Sequence, residues 1–245
     1  MAKEQNVQKG HAHPISGAIA EFTAIFSELG FTFADGPLVE TEWYNFDALN
    51  VPRDHPARDA WDTFFVEGVD GGVLRAHTSS VQIRYMEAKM SEGIAPPYRI
   101  IAPGAVFRNE ATDATHEATF YQLEGLAIDE KGKVTLAHLK GTLEHFFTKF
   151  YGREITTRFR PGYFPFVEPG VEVDMYFKSA RGERWMEMMG AGMVHPNVLK
   201  AVGIDPEKYG GFAFGVGIER SLMVRHEIDD IRAFHQGDLR FVNQF

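Results

Sequence analysis

The chain has 245 residues, 44% of them hydrophobic, a net charge of −9 and no cysteine. That length and apolar content can bury a sizeable core in one domain. The missing cysteines exclude a disulfide framework and any thiolate metal centre. The acidic balance argues against non-specific wrapping of nucleic acid but leaves room for a local basic site.

No apolar run is long enough to span a bilayer, and the polar start "MAKEQNVQKGHAHP" lacks the apolar core of a signal peptide. A cytoplasmic protein is expected. Residues 1–12 read as a disordered tail and residues 13–245 as one domain. In "HPISGAIAEFTAIFSELGF", Ile15, Ile19, Phe22, Phe26 and Leu29 recur at helical spacing, and Gly30 ends the run. "FTFADGPLVET" reads as a short strand broken at Asp35-Gly36-Pro37, and "NVPRDHPARDAWDTFF" as a long loop. A strand and tight turn follow near "VEGVDGGVLRA", then a helix over "SSVQIRYMEAKM" with Ser79 or Ser80 near its N-cap.

"YRIIAPGAVFR" and "TFYQLEGLAID" are expected as two strands flanking the loop "NEATDATHEA". A second amphipathic helix aligns Leu139, Leu143, Phe146 and Phe150. Farther on, Val171, Val173, Met175 and Phe177 alternate with Glu172, Asp174, Tyr176 and Lys178. This is a hairpin with one buried face, turning at Ser179 to Gly182. The last clear helix starts near Gly217 and points Ile218, Leu222 and Met223 inward. Strands cluster rather than alternating strictly with helices, so the expected fold class is α+β with a mostly antiparallel sheet.

"GFAFGVGIERSLM" at 211–223 suggests a dinucleotide fingerprint, but the third glycine that motif requires would fall at 220, where Arg220 stands. Two readings remain: a small-residue strand packed closely on a helix, or a strand presenting Arg220 to an anion. In "FRNEATDATHEATFYQLEG", Arg108 and Glu110 share one strand face by period two, as do Phe120, Gln122 and Glu124. An ion pair alone would explain Arg108 and Glu110. The polar alternation on both strands favours a site. His77 by itself reads as a satisfied core or surface histidine. Phe164 and Phe166 point to the same side across Pro165, as core or as an aromatic slot. Glu168, before Pro169, reads as a turn residue, with a Mg2+ ligand as the other option.

Together these stretches resemble class II aminoacyl-tRNA synthetases. "FRNEATDATHEATFYQLEG" resembles motif 2 and "GFAFGVGIER" motif 3. With "HPARDAWDTFF", "HTSSVQIRYM", "YFPFVEPG" and "GAGMVHPNVL", the chain from about His13 to Phe245 is similar to the α subunits of bacterial phenylalanine–tRNA ligases. The resemblance implies an antiparallel sheet flanked by helices that binds ATP and L-phenylalanine with Mg2+. It gives catalytic roles to Arg108, Glu110 and Arg220. Arg108 would contact the α-phosphate and Arg220 the γ-phosphate. Glu110 and His116 would hold the nucleotide, and Phe120 would stack on adenine. Glu168 matches a Mg2+ position. The substrate ammonium would meet His77, Ser79, Gln122 and Glu124. Phe164 and Phe166 would pack around the ring, Val167 and Ala213 would close the pocket, and Trp61 is a further pocket candidate.

Implied partners are tRNA(Phe) and a β subunit, in an α2β2 assembly, with the 14–29 helix and "PLVETEWYNF" in the interface region. The expected activity is ATP-dependent formation of phenylalanyl-adenylate and its transfer to tRNA(Phe), as the catalytic α subunit or a truncated form of it, since the family's N-terminal coiled-coil arm has no counterpart in this sequence. Alternative readings are a synthetase-like paralogue for another amino acid and a non-catalytic binding module. Retention of Arg108, Glu110 and Arg220 opposes the last, and Phe164, Phe166 and Ala213 oppose the paralogue.

Overall fold

The computed structural model of the chain describes residues 10, 12–59, 62–179 and 182–245. The expected tail therefore lies largely outside the described residues, as does Trp61. The chain starts with α1 (Pro14–Glu28), β1 (Thr32–Phe33), β2 (Val39–Thr41), α2 (Glu42–Asn45), β3 (Gly72–Leu74) and α3 (Ser79–Ser91). The long hairpin β4 (Tyr98–Phe107) and β5 (Thr119–Glu130) follows, then α4 (Leu136–Tyr151) and β6 (Thr157–Pro161). The last part holds β7 (Val167–Ser179), β8 (Gly182–Val194), α5 (Pro196–Ala201), β9 (Tyr209–Gly217), α6 (Ile218–His226) and α7 (Leu239–Val242).

Among the described residues seven strands form one sheet in the order β1-β4-β5-β9-β8-β7-β6, and β2 pairs with β3 apart from it. Every pairing in the large sheet is antiparallel except β1 with β4. This is the expected α+β class. The break at Asp35-Gly36-Pro37 does more than interrupt a strand, because it sends β1 and β2 into different sheets.

Pro14 opens α1 where its missing N–H costs nothing, and His13 Nδ1 accepts the Ile15 N–H at 3.2 Å. The apolar stripe of α1 meets that of α4. Phe22 stands edge-on to Phe146 at 4.8 Å, and Phe26 stacks on Phe214 of β9 at 5.2 Å. Period-two alternation then divides β9 between two environments. Phe212, Phe214 and Val216 join the core under α1 and α4, while Ala213 lies on the opposite face with the smaller core around α3.

Asp174 departs from the expected polar face of the β7–β8 hairpin. It is 1% exposed and accepts from Arg158 Nε at 2.6 Å and Arg160 Nε at 2.7 Å. β6 pairs beside β7 and lays both arginines over it, so a carboxylate that alternation puts in water is enclosed by charge partners. Hydrogen bonds from Arg160, then Arg158, hold its pKa below the ordinary carboxylate range.

Candidate active site

The β4–β5 hairpin, β8, β9 and the start of α6 wall a cavity of about 830 Å3. One end is lined by His77, Ser79, Gln122 and Glu124, with Phe164, Phe166, Val167 and Ala213 beside them. Farther along β5 the lining holds Glu110, His116, Phe120 and Arg220, and Arg108 stands between, within electrostatic reach of both His77 and Glu124. Residues up to 143 positions apart in sequence, His77 and Arg220, thus share one concavity. Glu168 does not line it. Its side chain is exposed and its Oε2 lies 3.3 Å from Nε2 of His195. Among the described residues, no group of three or more His, Cys, Asp or Glu side chains stands together as a metal cage.

The first end is built around Glu124, which is 8% exposed. Thr78 Oγ1 donates to Glu124 Oε2 at 3.1 Å, and Ser79 Oγ donates to Oε1. These two hydroxyls stand at the start of α3, where Ser79 or Ser80 is expected near the N-cap. Thr78 is the N-cap with Ser79 next to it, and the Thr78 hydroxyl makes no cap bond because it turns to the carboxylate. Burial pushes the Glu124 carboxyl up to about 7, against the opposing pull of those hydroxyls and of Arg108 and Arg75. Gly215 keeps room for the carboxylate, since a Cβ there would stand 3.1 Å from Glu124 Oε1.

His77 is partly buried. Burial, then the positive charge of Arg108, pushes its imidazole down to about 4, so it is neutral at pH 7. Its Nε2 lies 3.0 Å from the Asn45 carbonyl and must therefore carry the proton. Nδ1 is then an acceptor, and it has no partner. An unpartnered lone pair in the same cavity as a carboxylate suits a donor-rich cation such as an ammonium group.

Phe164 and Phe166 stack with centroids 6.1 Å apart and a 28° interplanar angle. Gly190 on β8 makes this possible, because a Cβ there would come within 2.6 Å of Phe164 Cζ. Ala213 pairs across to Gly192 and Leu126, and its single methyl leaves this end of the cavity open.

The second end is looser. β4 ends at Phe107, so Arg108 and Glu110 do not share a strand face. Arg108 N–H still donates to Ala118 O at 3.0 Å, and Glu110 N–H then turns back to Arg108 O at 2.9 Å. The hairpin opens there, and period two no longer applies. Arg108 Nε donates to Ala76 O at 3.2 Å, and its guanidinium lies 5.0 Å from the centroid of the Phe120 ring. In the loop, Asp113 Oδ1 accepts from the N–H groups of Thr115 and His116 at 2.6 and 2.8 Å, and it faces His116 Nδ1 at 3.1 Å. Arg220 is exposed at the cavity wall, with no hydrogen bond or ion pair among the described residues.

The family described as "tRNA synthetases class II core domain (F)" matches over residues 1–245. The chain belongs to this family. This synthetase core is similar to the phenylalanine–tRNA ligase alpha subunit of Xanthomonas campestris pv. campestris (strain B100), 49% identical over 239 residues, 97% of this chain and 70% of that one. It is 53% identical over 237 residues to the protein of the same name from Synechocystis sp., covering 97% of this chain and 68% of that one. In fold it is similar to the pyrrolysyl-tRNA synthetase from Desulfitobacterium hafniense, with a TM-score of 0.70 at 17% identity over 93% of this chain and 75% of that one.

Three residues of the synthetase core escaped the sequence reading. Arg75 is 2% exposed and spans from Ala105 O (2.9 Å) to Gly36 O (3.1 Å), adding positive charge behind Glu124. Glu187, half-exposed on β8, lines the cavity 3.6 Å from Arg160 Nη2. Glu219, beside Arg220, is 1% exposed. "WMEMMG" and "GIER" gave the only sequence signal for the last two, an acid placed among apolar or small residues. No helix among the described residues is long and apolar enough to cross a membrane.

Proposed function

We propose that this chain carries the catalytic site of a phenylalanine–tRNA ligase, activating L-phenylalanine with ATP and passing the phenylalanyl group to tRNA(Phe). The observation that carries the reading is one cavity whose lining combines a buried carboxylate and an aromatic pair with two guanidiniums. The ammonium of phenylalanine would sit against Glu124, His77 Nδ1, Ser79 and Gln122. Its ring would pack against the Phe164–Phe166 pair, where edge and face contacts add to apolar burial. Val167 and Ala213 would bound its far end, with Trp61 retained as a pocket candidate.

At the other end Phe120 would support the adenine, with Glu110 and His116 holding the nucleotide. Arg108 would take the α-phosphate and Arg220 the γ-phosphate, each fork matching paired phosphate oxygens. The substrate carboxylate oxygen attacks the α-phosphorus, the bond to the β-phosphate oxygen breaks, and pyrophosphate leaves with the electron pair. The guanidiniums stabilise the charge that develops, and alignment of carboxylate and phosphate supplies the rest of the acceleration. No side-chain nucleophile is needed.

Mg2+ would enter with ATP and neutralise phosphate charge when bound. It usually takes one or two carboxylates and keeps several waters. Glu187, on the cavity wall, fits that sparse donor set. Glu168 with His195 offers one carboxylate and one imidazole outside the lining, a position that waters would have to complete.

The relatives' name supports a β subunit as partner, and an α2β2 assembly is the form proposed. Amino-acid-dependent pyrophosphate exchange with the twenty amino acids, with and without a β subunit, tests the reading. Exchange with phenylalanine alone is expected. Exchange with a different amino acid, or none in either condition, would overturn it.

A further inference from the structure

A buried carboxylate needs partners, and Glu219 has two of unusual placement. Its Oε1 and Oε2 each accept the Tyr121 N–H at 2.9 Å, and Oε1 lies 3.2 Å from His235 Nε2. Tyr121 directly follows Phe120, and Glu219 directly precedes Arg220. One carboxylate therefore joins the β5 backbone next to Phe120 to the first turn of α6, which carries Arg220. The β5–β9 ladder brings Gly217 level with Gln122, and Glu219 extends that tie into the first turn of α6, where the N-cap Gly217 has no side chain to do so.

His235 reaches Glu219 from the C-terminal segment, just past the short 3-10 turn Ile231–Phe234. That segment also holds the β4–β5 loop, where the Ile231 N–H donates to Ala114 O at 2.9 Å. The loop, the strand and the helix at the nucleotide end are thus tied to one C-terminal clamp.

We propose that Glu219 and His235 are positioning residues for ATP, setting the gap between Phe120 and Arg220 into which the nucleotide fits. The inference rests on the ATP roles proposed above for those two residues. It assigns the C-terminal segment a part in nucleotide affinity, not only in core packing.

The charges around His235 give the proposal a pH signature. Glu219 faces it from α6 and Glu117 from the β4–β5 loop, while on its own segment Arg232 pairs with Asp230 and Arg240 with Asp238. The hydrogen bond to Glu219 raises the His235 pKa despite burial. Below that raised value His235 is cationic and balances Glu219. Above it the carboxylate keeps a hydrogen bond at most and loses its counter-charge. ATP affinity should therefore be highest on the acid side and fall as pH rises through the His235 titration.

The test uses the full chain, with ATP affinity measured by equilibrium titration and KM for ATP and phenylalanine by pyrophosphate exchange, from about pH 6 to about pH 9, the range in which histidine titrates. Glu219→Gln is expected to raise both the Kd and the KM for ATP about tenfold while moving the KM for phenylalanine by less than about twofold. His235→Gln keeps an N–H donor and cannot be charged. It should bind ATP at low pH as weakly as the unaltered chain does at high pH, which removes the pH-dependent difference. Unchanged ATP affinity in both variants, or ATP and phenylalanine KM rising together, would overturn the proposal. An unaltered chain that binds ATP without phenylalanine-dependent exchange would count against the proposed function, and the clamp would still be judged on the binding data. A chain that does neither would sink both.

Discussion

The two ends of the cavity are built on opposite principles. At the Glu124 end the polar groups are buried and already hydrogen-bonded to one another, with Thr78 and Ser79 on the carboxylate and Asn45 on His77. At the Arg220 end the main cation is exposed and unpaired, and the loop carrying His116 is held largely by its own Asp113. The proposed ligand parts explain the contrast. A small ammonium and a neutral ring offer little binding energy, so selectivity needs a dry, preformed pocket in which every mismatch leaves a polar group unsatisfied. A triphosphate brings strong charge of its own, and Arg220 can stay solvated until it arrives, whereas Arg108 is already partly buried and bonded to Ala76 O.

The comparison breaks first at Arg220. Arg220→Ala should lower kcat/KM for pyrophosphate exchange by about a hundredfold to a thousandfold, with melting temperature nearly unchanged because the residue is exposed and unpaired. A comparable loss of stability would mean that this end is as prebuilt as the other.

Glu124→Gln should cost about ten- to a hundredfold in kcat/KM for phenylalanine, the loss of a charge-assisted bond in a dry site. The unaltered chain should bind phenylalanine more tightly as pH rises through about 7, because the raised carboxyl ionises there and only the anion pairs with the ammonium. Calorimetric titration of phenylalanine across that range checks the sign, and the Gln variant should lose the trend.

Gly190→Ala sharpens the comparison inside the aromatic slot. Its methyl would meet Phe164, so phenylalanine kcat/KM should fall about tenfold with ATP affinity retained. Loss of ATP binding as well would mean that the ends are not independent. Ala213→Gly should have the smallest effect. By enlarging the pocket it should improve activation of para-halogenated phenylalanine relative to phenylalanine by roughly three- to tenfold. Unchanged discrimination in exchange assays would remove Ala213 from the specificity pocket.

The site was legible in the sequence where chemistry is carried by residue type in a local pattern. Arg108, Phe120, Gln122, Glu124 and Arg220 fall within two short blocks, and all five line the cavity. The reading failed where a contact depends on a distant element. Asp174 looked solvent-facing because alternation cannot see β6 folding two arginines over it. The hydroxyls of Ser79 and Thr78 carry no sequence signal of their role, because nothing nearby marks the carboxylate 45 and 46 residues away that takes them. Period two puts Arg108 and Glu110 on one strand face, but hairpin pairing ends after Phe107 and that end has no local signal.

The sequence by itself determined the helices of the core, the antiparallel class of the sheet and the residue types available for binding, since periodicity and side-chain chemistry are local properties. The tertiary structure alone decided which of those residues are dry, paired or free. Glu219 meets Tyr121 across 98 residues of chain, and that one closure turns an ordinary acid on a short helix into a buried brace between two proposed ATP-binding groups. Burial and pairing are set by what the rest of the chain packs alongside, and these in turn fix the protonation of Glu124 and His77 and the freedom of Arg220.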